Sequence, residues 1–304
     1  MAARSLSRSP KLRNRIALSQ NFIRDPRIAD TILDRSTIGP DDVVYEIGPG
    51  DGVITDRLAR RCRHVVAVEK DPCLAERLRR RFAPRPNVTV FLHDGLTFPL
   101  PLTRYKVFAN VPFNVTAEIV SRLTHAHNPP QDAYLGVQRE AAQRYVGSPA
   151  ETLVSVLLKP SFEPSVVHRF ARRDFVPEPG VDVVLLRLRK RGPPLLAASE
   201  MQRYRDFIAY GFTAWRPSLR DAYSGILDGR AEACLAERTG HDLSVTPTTL
   251  PFEAWLELFR CFQELAGTQA RARVDGAEQR LRVQQAQLQK THRTRRPAVD
   301  AGLR

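Results

Sequence analysis

Residues 43–52 read Val-Val-Tyr-Glu-Ile-Gly-Pro-Gly-Asp-Gly, and this stretch decides the fold class. Its first half is a short apolar run typical of a buried strand. Its second half is a turn with glycine at every second position, Gly48, Gly50 and Gly52, and a helical pattern follows. A strand that enters a glycine-rich turn and then a helix is typical of a nucleotide-type site, because glycines let the backbone approach a ligand. The alternative is a tight turn without a ligand.

Further strands alternate with helical segments along the first half of the chain. The predicted strands cover 43–47, 65–68, 88–92 and 105–109. Polar residues lie at or near the ends of these strands: Glu46, Glu69, Asp94 and Asn110. This alternation predicts an α/β fold with a mostly parallel sheet and helices on both faces, whose ligands bind at the carboxyl ends of the strands. Residues 162–169 and 181–188 could form a terminal antiparallel pair.

The chain divides into four segments by composition. Residues 1–24 contain six basic residues and no acidic one, which predicts a flexible arm. The α/β domain is predicted at 25–190 and a small helical domain at 191–265. Residues 266–304 contain nine Lys or Arg against three acids and few hydrophobic residues, and we expect a basic, disordered tail outside the core.

The net charge of +14 and the pI near 10.3 favour a polyanionic partner, and nucleic acid is the common one. Free use of arginine gives the same composition, so charge by itself leaves the partner open. The Arg77–Arg81 cluster is either a solvated helix face or a phosphate contact. No apolar run approaches the length of a bilayer span, and no amphipathic membrane anchor is evident.

Four cysteines lie far apart in the sequence: Cys62, Cys73, Cys234 and Cys261. No CxxC pair occurs, so we expect no zinc site. Cys261 falls in a helical apolar pattern and is predicted to lie in the core. Because no signal peptide is recognised, the sequence predicts a cytoplasmic protein with reduced thiols.

Residues 110–113, Asn-Val-Pro-Phe, directly follow the fourth strand. They resemble the Asn-x-Pro-aromatic motif of adenine-N6 methyltransferases, whose substrate amine is a poor nucleophile because its lone pair is delocalised into the ring. The side-chain oxygen of Asn110 and the carbonyl of Val111 could accept hydrogen bonds from that amine and favour a tetrahedral nitrogen. Pro112 stiffens the turn, and Phe113 offers a face on which an extruded base stacks, worth about 1–3 kcal/mol. The alternative is a structural loop with a buried phenylalanine.

The order of these motifs resembles the rRNA adenine N6-dimethyltransferase superfamily. The matching segments are Gln20-Asn21-Phe22, Glu46–Gly52, Glu69, Asp94, Asn110–Phe113 with the following Asn-Val-Thr, and Phe175–Asp182. Within that superfamily the chain most resembles the erythromycin-resistance (Erm) methyltransferases, especially actinobacterial ones with long basic tails. The resemblance covers about residues 15–265. It implies a Rossmann-like class I methyltransferase domain followed by a small helical domain.

The resemblance implies S-adenosylmethionine as the cofactor. The glycine turn would lie against its methionine part, Glu69 would accept from both ribose hydroxyls, and Asp94 would accept from the adenine amine. The segment Gln20-Asn21-Phe22 would close over the cofactor, and Phe175 would help hold the target base. The remaining cofactor-binding candidates are Glu46, Lys70, Gly95 and Asn110. Catalysis would depend on positioning and electrostatics, without a covalent enzyme intermediate.

The resemblance is not complete in two positions. Val183 stands where the family usually has Ser, and Phe113 stands where many relatives have Tyr. The second change keeps the aromatic face and removes a hydroxyl. We expect neither to abolish activity.

Three functions remain open at this point. The first is methylation of an adenine in 23S rRNA, which would block macrolide, lincosamide and streptogramin B antibiotics. The second is dimethylation of 16S rRNA in ribosome assembly, although such relatives generally have Leu at the position of Val111, followed by Tyr as the aromatic residue of the motif. The third is a non-catalytic RNA-binding assembly factor, which predicts damaged site residues that are not seen here. A DNA adenine methyltransferase would share the Asn-x-Pro-aromatic motif, but nothing in the sequence suggests the DNA-target recognition domain that it would need.

We expect RNA as the partner, with 23S rRNA bound before full ribosome assembly, and a monomeric, cytoplasmic enzyme. The tail after Ala266 is predicted to add nonspecific RNA affinity and to be dispensable for chemistry.

Overall fold

The computed structural model describes residues 22–23, 25–214 and 216–287. Most of the predicted arm, including Gln20 and Asn21, lies outside the described residues, as does the end of the chain after Gln287. The chain divides into two compact units, Met1–Leu196 and Ala197–Arg304.

The described part of the first unit is built around a seven-stranded sheet. The strands of this unit are β1 (Phe22–Ile23), β2 (Val43–Ile47), β3 (His64–Glu69), β4 (Val88–Leu92), β5 (Lys106–Asn110), β6 (Asp132–Gln138), β7 (Phe162–Arg169), β8 (Phe175–Val176) and β9 (Val183–Lys190). The sheet order is β4-β3-β2-β5-β6-β9-β7. Strands β2 to β6 are parallel, β9 is antiparallel to β6, and β7 is antiparallel to β9. The parallel sheet and the terminal antiparallel pair predicted from the sequence are both present.

Helices cover both faces of this sheet. They are α1 (Pro26–Asp34), α2 (Val53–Arg61), α3 (Pro72–Phe82), α4 (Thr116–Thr124), α5 (Arg139–Val146) and α6 (Leu153–Leu158). Neighbouring residues of a strand point to opposite faces, so β5 contributes to two separate cores. Val107 and Ala109 pack in one apolar cluster, and Phe108 packs in the other.

The first unit extends past the predicted boundary at residue 190. The Leu195 amide donates to the Pro160 carbonyl at 2.9 Å, and the Leu196 side chain is buried. These contacts hold the segment that was predicted to begin the helical domain against the α/β unit.

The second unit is helical, as predicted. Its helices are α7 (Ala198–Thr213), α8 (Leu219–Ala222), α9 (Gly229–Thr239), α10 (Phe252–Leu265), α11 (Thr268–Val274) and α12 (Ala277–Gln287). An aromatic core joins α7 and α10, in which the Phe207 ring contacts Trp255 edge-on and lies 4.8 Å from the Phe262 ring. None of the described helices combines the length and the apolar character that a membrane span requires.

Cys234 of α9 and Cys261 of α10 form a disulfide, with their Cα atoms 6.3 Å apart. Cys261 is fully buried, as predicted for a core residue. The prediction that all thiols are reduced is wrong for this pair, because a sequence separation of 27 residues gave no sign that the packed helices bring the two sulfur atoms together.

The segment after Ala266 is not a disordered tail over its first 20 residues. Val274 and Ala277 are buried, and the Glu278 amide donates to the buried Asp206 carboxylate at 2.9 Å. The prediction is therefore wrong for α11 and α12. Composition could not reveal this, because the anchoring depends on a few buried contacts and a side chain from α7. Residues 288–304 lie outside the described residues.

Candidate active site

The glycine turn lies between β2 and α2 and leaves open space on one side. Gly48 and Gly50 have φ angles of +68° and +60°, in the left-handed region that favours glycine. The Gly48 amide donates to the Val68 carbonyl at 3.0 Å, which fixes the turn against β3. A methyl group at Gly48 would meet no atom within 4 Å. The turn therefore forms a cradle that a ligand can approach closely and that a side chain would fill.

Phe22 covers the next glycine of the turn. A methyl group at Gly50 would lie 2.2 Å from Cε1 of Phe22, so the ring rests directly on the backbone of the turn. Strand β1 holds Phe22 there by pairing with β8, in the register Phe22 with Val176 and Ile23 with Phe175. The structure thus brings the last residue of the predicted closing segment to the site.

Glu69 ends β3 beside the turn and is almost fully buried. Its Oε2 accepts from the Gly50 amide at 3.0 Å, and its Oε1 accepts from the Asp71 amide at 2.9 Å. Burial raises the pKa of Glu69, and the backbone amides oppose that rise. Each carboxylate oxygen can accept a second hydrogen bond, so this residue can both brace the turn and bind hydroxyl groups of a ligand.

Glu46 lies beneath the same turn, inside β2. Burial raises its pKa to about 8, the nearby Thr55 hydroxyl opposes the rise, and the Glu69 carboxylate adds to it. Its Oε2 is buried and has no hydrogen-bond partner among the described residues. Buried polar atoms usually have a partner; the Thr55 hydroxyl, which also has no partner of good geometry in the described part of the chain, is one donor close enough to act on Glu46.

Asp94 follows β4 and is the more accessible carboxylate. Its Oδ2 lies 2.7 Å from Lys70 Nζ, and its Oδ1 accepts from the Leu96 amide at 2.9 Å. The Lys70 ammonium lowers the pKa of Asp94. Gly95, the next residue, packs against Ile47 of β2. A methyl group at Gly95 would lie 2.5 Å from Ile47 Cγ2. Glycine therefore allows the loop after β4 to reach the end of β2.

Asn110 ends β5 and lies opposite Gly136 of β6. A methyl group at Gly136 would lie 3.0 Å from Asn110 Oδ1. Because glycine has no side chain, it leaves room for the Asn110 amide. The Val111 amide donates to the Gly136 carbonyl at 3.1 Å, and Val111 is buried. Gly136 is a site residue that the sequence analysis missed. An isolated glycine inside a strand pattern was the available signal, because it often marks a close approach.

The two predicted base-contacting aromatics differ in exposure. Phe113 begins a 3-10 turn, Phe113–Val115, after Pro112, and its ring is partly exposed. Phe175 is 1% exposed, and its ring meets Phe170 edge-on with centroids 5.1 Å apart. In this structure Phe113 can present a face to a base, whereas Phe175 is buried in the core next to β1.

Two arginines share one carboxylate beyond the carboxyl end of β6. Arg139 Nη1 lies 2.8 Å from Asp182 Oδ2, and Arg172 Nη2 lies 3.0 Å from Asp182 Oδ1. The Arg139 amide also donates to the Asp182 carbonyl at 2.9 Å. Arg139 also pairs with the Glu140 carboxylate at 3.6 Å, so two carboxylates balance the two guanidinium groups, and about half of each arginine side chain is exposed. Each guanidinium group keeps exposed N–H groups that a phosphate could reach.

The predicted cluster at 77–81 also lies beside the glycine turn. Arg77 pairs with the Asp51 carboxylate at 3.3 Å, and Arg81 donates to the Asp51 carbonyl at 2.6 Å. Arg80 instead pairs with Glu76 along the exposed face of α3. Part of this cluster therefore supports the turn, and part is a solvated face.

Taken together, the carboxyl end of the sheet offers a glycine cradle, two carboxylates at neighbouring strand ends and an amide with an adjacent aromatic ring. These residues fit a nucleoside-type cofactor on one side and a base amine on the other. No group of three or more His, Cys, Asp or Glu side chains within the described part of the chain is arranged to hold a metal ion.

Comparison with known proteins gives a consistent result. The profile of the family described as ribosomal RNA adenine dimethylase matches residues 11–264. An rRNA adenine N-6-methyltransferase from Saccharopolyspora erythraea is 31% identical over 255 residues, which cover 84% of this chain and 67% of the relative. A ribosomal RNA small subunit methyltransferase A from Prochlorococcus marinus is 33% identical over 260 residues, covering 80% of this chain and 91% of the relative.

Among solved structures, the 23S rRNA methyltransferase ErmE superposes with a TM-score of 0.75 at 30% identity, covering 80% of this chain and all of that chain. The resemblance inferred from the motifs is confirmed, as is the class I methyltransferase fold. The intact site residues and the family match agree on the same chemistry. The chain therefore belongs to the ribosomal RNA adenine dimethylase family and is an rRNA (adenine-N6)-methyltransferase.

Proposed function

We propose that this protein transfers a methyl group from S-adenosylmethionine to N6 of one adenine in 23S rRNA and thereby confers resistance to macrolides, lincosamides and streptogramin B. The observation that carries the proposal is the placement of Asn110 at the end of β5, with Gly136 opposite it and Phe113 three residues on. Similarity to the 23S rRNA methyltransferase ErmE over its whole length supports this choice of RNA.

The cofactor would occupy the cradle at the glycine turn, where it supplies an electrophilic methyl group. Gly48 and Gly50 leave room for its methionine part. Glu69 would orient the ribose by accepting from its hydroxyls, and Asp94 would bind the adenine amine. Phe22 would close the cradle, and we assign Gln20 and Asn21 to the same closing segment.

Lys70, Gly95 and Glu46 would act around these contacts. Lys70 holds the Asp94 carboxylate in place at 2.7 Å. Gly95 permits the close approach of the loop to Ile47. Glu46 would accept a hydrogen bond from the ligand through its buried Oε2.

The target adenine would enter from the side of Asn110. Its amine would donate to the Asn110 side-chain oxygen and the Val111 carbonyl, which favours a tetrahedral nitrogen with an available lone pair. Pro112 fixes the turn that presents both acceptors, and the base would stack on Phe113. Positioning of the nitrogen in line with the methyl group supplies most of the rate acceleration.

The charge near the site would guide the RNA. Arg139 and Arg172 are both half-exposed and share the Asp182 carboxylate, so they can contact phosphates that flank the extruded adenine. We place the reaction in the cytoplasm, on 23S rRNA before full ribosome assembly, and propose a monomeric enzyme.

The test is to map rRNA methylation in a macrolide-sensitive strain that carries the gene, its Asn110→Ala variant or an empty vector. We expect a new N6-methylated adenine in the macrolide-binding region of 23S rRNA, together with resistance, in the wild-type strain alone. A mark on 16S rRNA instead would favour the small-subunit function of the Prochlorococcus relative. Equal macrolide sensitivity in all three strains, with no mark, would refute the proposal.

A further inference from the structure

A groove of about 820 Å³ lies within the second unit, where α11 and α12 fold back beside α7 and α8. Its lining includes Tyr210, Arg216, Asp221, Arg273, Arg280 and Gln284. One wall is formed by residues after 264, which is the last residue that the family profile matches. The groove therefore depends on a segment that the family match does not cover.

Buried contacts hold this wall in place. The Glu278 amide donates to Asp206 Oδ1 at 2.9 Å, and Gln202 donates to the Glu278 carboxylate at 3.2 Å. Val274 and Ala277 are buried beside these bonds. The wall is thus a packed part of the helical unit, and its exposed side chains are presented at defined positions.

The charge of the groove is positive and largely uncompensated. Arg273 donates to the Gly225 carbonyl at 3.0 Å, and Arg280 donates to the Asp275 carbonyl at 2.8 Å. Carbonyls orient a guanidinium group without cancelling its charge. Within the described part of the chain, Arg216, Arg273 and Arg280 form no ion pair within 4 Å of a carboxylate.

One carboxylate, Asp221, also lines the groove, and it accepts a hydrogen bond from the Ser218 hydroxyl at 2.6 Å. Three guanidinium groups therefore face one carboxylate. Most of the other arginines that the structure describes in this unit are arranged differently: Arg220, Arg230 and Arg238, for example, each pair with an acidic neighbour. The contrast indicates a site for a polyanion.

We propose that this groove is a second RNA-binding site, which holds the phosphate backbone of the rRNA by contacts separate from those that bind the methylated base. The choice of RNA as the polyanion rests on the proposed function. Glutamine and tyrosine side chains commonly contact phosphate and sugar together with arginine, and Gln284 and Tyr210 line the groove. Helix α12 has 11 residues and is about 16 Å long, so it can run beside a few phosphates of one strand.

The sequence beyond the groove continues the same charge. Residues 288–304 contain five Lys or Arg and one acidic residue. The groove supplies affinity, while the chemistry stays with the first unit.

The test measures binding of a fluorescent 20-nucleotide single-stranded RNA to the full chain by anisotropy, across a salt series. The test variant is Arg216→Gln/Arg280→Gln. The matched control is Arg203→Gln/Arg230→Gln, which removes two exposed charges from the same unit outside the groove lining. One phosphate contact on a single strand contributes about 0.7 to the salt slope and roughly a factor of 5 in affinity at 0.1 M salt.

We expect the test variant to bind about 25-fold more weakly than wild type, with a slope lowered by about 1.4, and the control to bind within about threefold. Arg216→Gln alone should lose about fivefold; because Arg216 has no hydrogen bond or ion pair to a described residue, that variant should keep the wild-type melting temperature. Equal losses in the test and control variants would overturn the proposal, as would wild-type affinity in both.

Two further measurements separate the alternatives. If the test variant loses binding to phosphatidylglycerol vesicles but keeps RNA binding, the groove is a lipid-surface site and the proposal is wrong. Single-turnover methyl transfer at saturating rRNA should be unchanged in the test variant, whereas its half-saturating RNA concentration should rise. If wild type methylates no rRNA at all, the proposed function fails, but the anisotropy comparison still decides whether the groove binds RNA.

Discussion

Substitution of Gly136 by alanine tests whether the position of the Asn110 amide controls the reaction. Gly136 lies opposite Asn110 in the sheet, and its φ is not in the left-handed region, so alanine adds no backbone strain. The new methyl carbon would lie 3.0 Å from Asn110 Oδ1, 3.6 Å from Asn110 Cα and 3.7 Å from the Ala109 carbonyl oxygen. The amide oxygen is the one atom among these that must move.

The required movement sets the expected size of the effect. Ordinary contacts of a methyl carbon begin at 3.4 Å, so the oxygen must shift by about 0.4 Å. A misplacement of 1 Å can cost about 10²-fold in rate. If the logarithm of the rate falls in proportion to the displacement, Gly136→Ala lowers the rate of methyl transfer roughly sixfold. The free energy of unfolding should change little. Replacing glycine by alanine restricts mainly the unfolded chain, which stabilises the folded state by about 0.4–1 kcal/mol.

The assay is single-turnover transfer of a labelled methyl group to rRNA, at saturating cofactor and RNA. Gly39→Ala is the matched control, because its methyl group would meet Asp42 Oδ2 at an ordinary 3.9 Å and lies away from the site. The same substitution is also made in the background Asn110→Ala, which alone should cost about 10²–10³-fold. There Gly136→Ala should have no further effect, because the displaced amide is already gone.

Two results would refute this reasoning. The first is a wild-type rate in Gly136→Ala, which would mean that the amide position does not limit the reaction. The second is a loss of equal size in both backgrounds, which would mean that the alanine disturbs the sheet rather than Asn110. A melting temperature several degrees below wild type would point to the same disturbance.

Three other perturbations have defined outcomes. Burial raises the pKa of Glu46 to about 8 from an ordinary 4.5. Its contribution to stability is therefore fully present below about pH 4.5 and is lost as the pH rises through 8. In urea denaturation, Glu46→Gln should have a higher free energy of unfolding than wild type at pH 8, by on the order of a few kcal/mol, and no such advantage at pH 4. Asp182→Asn should slow single-turnover transfer about 3–10-fold, because two arginines lose their shared partner, while affinity for unrelated RNA rises; an unchanged rate would remove that role. Asp206→Ala should leave the buried Glu278 amide without its acceptor, costing about 1–3 kcal/mol, and hydrogen exchange should show α11 and α12 losing protection before α7.

Local patterns in the sequence were enough for the sheet and for the positions of the polar residues at the strand ends. Each strand was a short apolar run, and the chain alternated strands with helices, which leaves few topologies. The polar strand ends, Glu69 and Asn110, then had to meet at one edge of the sheet. These predictions succeeded because each depended on neighbours in the chain or on a general rule for parallel sheets.

Other features depended on contacts between distant segments. The pairing of Phe22 with Val176 joins residues more than 150 positions apart, and two-residue strands have no periodicity to detect. The disulfide and the burial of α12 have the same character, because each is decided by how helices pack. The role of Gly136 could not be predicted for a different reason. A glycine in a strand indicates a close approach only once the residue opposite it in the sheet is known.

The burial of Phe175 changes how the aromatic residues of the site are best understood. Phe175 lies in β8, which pairs with β1 and thereby holds Phe22 on the glycine turn. A substitution at Phe175 would therefore first disturb the position of Phe22 at the cofactor cradle. Phe175 is 1% exposed and its ring packs edge-on against Phe170, so stacking on a base would need the flat face of the ring to be uncovered. Phe113 is partly exposed and follows the Asn110 motif directly. We therefore propose that Phe113 makes the stacking contact and that Phe175 acts as a positioning residue, which connects the closing segment to the loop bearing Arg172 and Asp182.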